Sequence, residues 1–142
     1  MGIPRHRVLA LLCVAVPAVG LTACGSTAST AFKGEQHEVA QAVSNLQTDA
    51  RNTDEQKICT DDLARALVTS LGSASGGCKE AIKNQLTDVD SFDVTIQSIQ
   101  VNPAHTPPTA SASVTSTYSG KTRPSTLLLV KEAGKWKISG VQ

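Results

Sequence analysis

The sequence predicts an α+β domain: three N-terminal helices packed on a four-stranded antiparallel sheet. Three observations predict it. From residue 39 to residue 86 apolar residues recur at steps of three and four, the period of a helix. From residue 92 onward the period drops to two, the period of a strand. The strand-like runs are closely spaced and separated by short turn signals, which suits an antiparallel meander with the helices on one of its faces.

The first helix is expected from Gly34 to Ala50. Val39, Val43, Leu46 and Ala50 form one stripe, and Glu35 and Glu38 sit near the positive end of the helix dipole. His37 falls beside the stripe with no partner at helical spacing, so it reads as an exposed helix residue. The segment Arg51 to Glu55 is polar, and Asn52 with Asp54 suits a turn or cap. The second helix is expected to start at a Thr60 cap with Asp61 and Asp62 in its first turn. That acid pair reads as helix-start chemistry rather than catalysis. Leu63, Leu67 and Leu71, with Ala64 and Val68, supply the buried face. The loop Gly72 to Gly77 stops this helix. Cys78, Ile82 and Leu86 then recur every four residues, which marks a short third helix.

Asp88, Asp90 and Asp93 raise the question of a calcium loop. Their spacing lacks the glycine and distal glutamate such loops use, and a helix-to-strand turn is the expectation. Phe92, Val94 and Ile96 alternate with polar residues, whereas Ile99 and Val101 have the opposite phase. A bulge is therefore expected near Gln97-Ser98. Asn102 to Pro108 is a connector, with His105 solvated in it. On the next strand Ala110, Ala112, Val114, Ser116 and Tyr118 share one face. Thr109, Ser111, Ser113, Thr115 and Thr117 share the other, which should meet water or a polar cleft. Ser119-Gly120 turns into a third strand, Thr126 to Lys131, and Ala133-Gly134 turns into a fourth, Trp136 to Val141.

The N-terminus has a different texture. Arg5 and Arg7 precede an almost wholly apolar run, Val8 to Leu21, interrupted by Pro17 and Gly20. A short positive segment followed by such a run describes a secretory signal, and the run is short for a span of about 20 residues. It ends in Leu21-Thr22-Ala23-Cys24. That tetrad resembles the lipobox of bacterial lipoproteins. The resemblance implies cleavage between Ala23 and Cys24 and a diacylglyceryl group on the Cys24 thiol, an anchor at the extracytoplasmic face of the cell membrane. Two acyl chains suffice for stable attachment. The expected organisation is a signal peptide at 1–23, the lipidated cysteine with a small, polar tether at 24–32, and one domain at 33–142.

Composition narrows the function classes. The chain carries 13 basic and 12 acidic side chains, and the expected signal takes Arg5 and Arg7 with it, leaving 13 − 2 = 11 against 12. A near-neutral domain without a clustered basic face excludes a nucleic-acid partner. Aromatic residues number four, Phe32, Phe92, Tyr118 and Trp136, so aliphatic residues must build the core. Outside the cytoplasm, Cys59 and Cys78 read as a disulfide. They form no Cys-x-x-Cys, and neither His37 nor His105 stands at ligand spacing to them, which disfavours a redox or metal pair. The bridge would join the start of the second helix to the start of the third. No metal or other cofactor is expected.

Three helices followed by a sheet ending in "LLLVKEAGKWKI" (Leu127 to Ile138) resemble the nuclear-transport-factor-2-like cone. The resemblance covers about residues 33–142 and implies a curved antiparallel sheet closing over the helices. It also implies a pocket, for which Val39, Val43, Leu67, Ile96, Val114, Leu128 and Trp136 are the candidate lining, and pairing of two copies as a homodimer. Some members of that family are isomerases, cyclases or dehydratases with Asp, His or Tyr inside the cone. The strands here offer Thr95, Gln97, Ser98, Ser113, Thr115 and Thr117 instead, and no pair of titratable groups in contrasting environments is legible. The reading is therefore a non-enzymatic interaction or accessory domain with an envelope protein as partner. The alternative is a carrier or sensor of a small apolar ligand, and a ketosteroid-isomerase-like enzyme comes third.

Overall fold

Residues 31–87, 92–118 and 120–142 are described by the computed structural model. The expected signal and cleavage site (Ala23, Cys24), most of the tether, Asp88, Asp90 and Ser119 lie outside the described residues, as does the side chain of Tyr118.

Gly34 enters the first helix at φ 57° and ψ −135°, backbone that a side chain disfavours. Helix α1 then runs Glu35–Arg51 and buries Val39, Ala40, Val43, Gln47 and Ala50. The expected stripe is there, with Gln47 inside and Leu46 only half-buried. Gln47 is tolerated because its amide donates to Asp93 Oδ1 at 3.3 Å. Arg51, in the last turn, donates to the Phe92 carbonyl at 2.9 Å and pairs with Asp93, so the end of α1 is fastened to the start of the sheet.

The second helix departs from expectation. Asp54, not Thr60, is the cap: its carboxylate accepts from the Lys57 backbone N–H at 3.0 Å. A short α2 (Glu55–Lys57) widens into a single π-helical turn, Ile58–Asp62, and the Thr60 hydroxyl donates back to the Gln56 carbonyl. The chain is extended at Leu63 and Ala64 before α3 (Arg65–Gly72) begins. The cause is tertiary. Leu63 bridges Ile138 in parallel, and the Ala64 N–H donates to the Ile138 carbonyl at 2.8 Å. Pairing with the sheet edge there outweighs continuing the helix. With α4 (Gly77–Leu86) the described chain has four helical segments rather than three.

The disulfide forms between Cys59 and Cys78, with Cα atoms 6.2 Å apart. It ties the π turn, not a helix start, to the first turn of α4.

Strands β1 (Asp93–Asn102), β2 (Thr109–Tyr118), β3 (Lys121–Glu132) and β4 (Lys135–Val141) form one antiparallel sheet in the order β1-β2-β3-β4. The register shifts between Ile96 and Ser98, where the bulge was expected, and again between Leu128 and Leu129. β3 starts five residues before the expected Thr126, because Lys121–Ser125 pair along β2 although their sequence is polar. Pro124 is admissible there, since β4 pairs with β3 only from Leu127 onward. Ala133 and Gly134 have φ 48° and 80°, the backbone of a two-residue hairpin turn whose twist matches the strands.

One sheet face carries Val94, Ile99, Ala110, Ala112, Val114, Leu127, Leu129, Trp136 and Ile138 into the core. α1 lies across it, against β1, β2 and β4. The small side chains of Ala110 and Ala112 leave room for that helix, and Val39, Ala40, Val43 and Ala112 have no exposed surface. The opposite face is the Ser/Thr face that the sequence leads one to expect.

Candidate functional site

The seven residues expected to line one ligand pocket do not surround one cavity. Val39, Val43, Val114 and Trp136 are buried core, and Leu67 and Ile96 pack half-buried against it. Leu128 is half-buried and borders a groove on the far side of the sheet with Ser111 and Gln100. Among the described residues no three acidic, histidine or cysteine side chains are grouped so as to hold a metal. Of the aspartates considered for calcium, Asp93 is committed to Arg51 and Gln47.

A groove of about 620 Å3 opens between α1, the π turn and the β3–β4 hairpin. α1 presents Gln41, Asn45, Thr48 and Asp49 to it, one helical face beside the buried stripe. The π turn adds Asp61 and Asp62, and the hairpin adds Gly134, Lys135 and Trp136. Glu38 and His37 border its upper end.

Trp136 anchors one wall. Its indole N–H donates to Glu35 Oε2 at 2.8 Å. Lys131 lies 5.6 Å over the same ring and donates to Glu35 Oε1 at 2.8 Å and to Glu38 Oε2 at 3.0 Å. The Lys131 hydrogen bond, then the indole, hold the Glu35 carboxyl below its ordinary range, and the hydrogen bonds to Glu35, then Glu38, hold the Lys131 ammonium above its own.

The floor holds the most unusual group. Asp62 is 6% exposed, and its Oδ2 is enclosed with no hydrogen-bond partner among the described residues. Burial pushes the Asp62 carboxyl up to about 7; the charges of Asp49 and Asp61 and the hydrogen bond to Asp49 add to this, and Lys137 opposes it. Lys137 is itself held, donating to the Thr60 carbonyl at 2.7 Å. Lys57 stands 3.8 Å from Asp49 and 3.6 Å from Asp54. Asp62 therefore holds its proton up to near neutrality.

By sequence, Asp61 and Asp62 belong to a helix start. The structure corrects that reading, because α3 begins three residues after Asp62 and the aspartates cap nothing there. No spacing signal joins Asp49 to Asp62, which come from different elements. His105 was expected solvated. It is exposed, and it bridges the β1–β2 connector through Thr109 Oγ1 at 3.0 Å and Asn102 Nδ2 at 3.3 Å.

The Asp62 shift fixes a sign for stability. Its ordinary value is 3.8, and in the folded chain it is about 7. Between those pH values the folded chain keeps a proton that the unfolded chain has lost, so this group's contribution declines as pH rises from 4 through 7, then levels off. Asp62→Asn removes the dependence. Against wild type the variant is expected to gain about 2–4 kcal/mol at pH 8 and almost nothing at pH 4. Urea unfolding of both proteins at pH 4, 6 and 8 checks this; an equal difference at all three values would refute the buried-carboxyl assignment.

No family model matches the chain, and no curated protein matches it. Among solved structures it is similar to a substituted variant of the designed protein titled Rd1NTF2_05, with a TM-score of 0.52 and 20% identity over 77% of this chain and 98% of that one. At that identity the likeness concerns the fold: a nuclear-transport-factor-2-like α+β domain.

Proposed function

We propose that this nuclear-transport-factor-2-like domain is held at the outer face of a cell membrane by lipid on Cys24 and acts there by contact with another envelope component, without chemistry of its own. The Leu21-Thr22-Ala23-Cys24 tetrad supports the anchor, and the Cys59–Cys78 disulfide supports an oxidising compartment. Among the described residues no helix is long and apolar enough to cross a membrane.

The observation that carries the contact reading is the packing of the sheet face. In folds of this kind the concave sheet is where a small ligand would sit. Here α1 fills it: Val39 and Val43 lie fully buried with Val114, Leu129 and Ile138. A carrier would have to displace its own core helix to admit an apolar ligand, at the cost of that burial.

Intact-mass measurement of the full chain, expressed with its own N-terminus and extracted from membranes, tests both halves. Under denaturing conditions the expected species begins at Cys24 and carries a diacylglyceryl adduct. Under native conditions it retains no further small molecule. An unmodified or full-length mass would defeat the anchor. A retained apolar ligand of several hundred daltons would defeat the contact reading and install a carrier.

A further inference from the structure

We propose that the groove between α1, the π turn and the β3–β4 hairpin is a binding site for an aliphatic organic cation, an ammonium-bearing chain whose head group rests on the Asp49–Asp62 carboxyl pair. The inference stands independently of how the chain is anchored.

Asp62 Oδ2 is buried without a donor among the described residues. A buried carboxylate is stable only with a proton, a cation or a set of hydrogen bonds. Three of the nearby cations have partners of their own: Lys137 on the Thr60 carbonyl, Lys57 between Asp49 and Asp54, and Lys131 on Glu35 and Glu38; Lys135 also lines the groove, but no ion pair joins it to Asp62 among the described residues. Below about pH 7 Asp62 therefore keeps a proton in the free protein.

The groove around it has the complementary character. Glu38, Asp49, Asp61 and Asp62 face it against Lys57 and Lys135, with His37 beside them; Glu38 is paired with Lys131 and Asp49 with Lys57, so Asp61 and Asp62 are the acids of the lining without an ion pair among the described residues. Ala42 and Trp136 offer an apolar flank for methylene groups, and Gln41 offers an amide oxygen along α1, its own amide donating to Asn45 Oδ1 at 2.9 Å. An ammonium has three donors and no acceptor, which matches a floor of carboxyl oxygens. The binding step is a proton exchange. The Asp62 O–H bond breaks, the proton leaves to solvent, and the carboxylate left behind accepts from the incoming ammonium. Two sources present this chemistry, a free polyamine and a lysine side chain of a partner protein.

Calorimetric titration of the full chain with spermidine, and separately with an end-blocked glycyl-lysyl-glycine peptide, tests the proposal. Saturable binding of at least one probe at pH 8 is expected, about tenfold weaker at pH 6, with close to one proton released per ligand at pH 6 when buffers of different ionisation enthalpy are compared. The factor follows from a group titrating near 7 that must deprotonate on binding. The tighter probe identifies the source. Asp62→Asn is expected to abolish the pH step and weaken binding at pH 8 by at least about tenfold. Asp61→Asn, at the exposed rim, keeps the step. Thermal melts confirm that each variant is folded. Absence of binding by both probes at pH 8, affinity that ignores pH, or an unchanged Asp62→Asn would each overturn the site.

Discussion

Trp136→Ala is expected to cost about 3–5 kcal/mol of stability, the largest effect of any single truncation in this chain. Trp136 is 5% exposed and is the sole tryptophan among four aromatic residues, so no neighbour of similar size can fill the space it leaves. It also ties β4 to the start of α1. Its indole donates to Glu35, and its ring underlies Lys131, which holds Glu35 and Glu38 in turn. Removal therefore leaves a cavity and loosens the hairpin from the helix together. Trp136→Phe separates the contributions: it keeps much of the apolar volume and loses the indole donor, and should cost about 1 kcal/mol more than its volume change alone implies. Urea denaturation followed by circular dichroism measures both variants, since the fluorescence probe goes with the residue. A loss below about 1 kcal/mol for Trp136→Ala would mean the hairpin is not packed as described.

Replacing both Cys59 and Cys78 by alanine should cost about 3 kcal/mol, the expectation for a loop closed over a sequence separation of 19. The double variant is the right comparison, because a single change leaves a buried thiol. Both cysteines are 9% exposed and lie in the core cluster with Ile58 and Leu63, so part of the cost is packing. The bridge also fixes the π turn that carries Asp62. Its loss should therefore weaken the pH dependence of stability assigned to Asp62, even where the fold survives. The urea midpoint at pH 6 and pH 8, with and without the bridge, reads both effects. An unchanged midpoint would show that the π turn is held by its contacts with α1 and β4 without the bridge.

Sequence and structure agree wherever a residue's role follows from its immediate neighbours. The stripe through Val39 and Val43, the phase change between Ile96 and Ile99, the Ala133-Gly134 turn and the Ser/Thr face of β2 were all legible, because helix and strand periods assign faces before any tertiary contact exists. Two cysteines in an expected extracytoplasmic domain were enough to anticipate their bridge. The chain also spelled out its N-terminal tetrad, which lies outside the described residues.

Tertiary structure alone decided the rest. Propensity favours one helix through Leu63 and Ala64; the open edge of β4 drew those residues into extended pairing instead, and a π turn took up the difference. The start of β3 at Lys121 rests on a partner strand rather than on its own polar sequence. The pocket inferred for seven apolar residues became core, because alanines at 110 and 112 let α1 settle onto the sheet. Asp62, placed at a helix start by its neighbours, was carried inward against Asp49, thirteen residues away in the chain and on another element. Local pattern determines which face a residue prefers; burial and the charge met across an interface depend on which elements come together, and no periodicity encodes that.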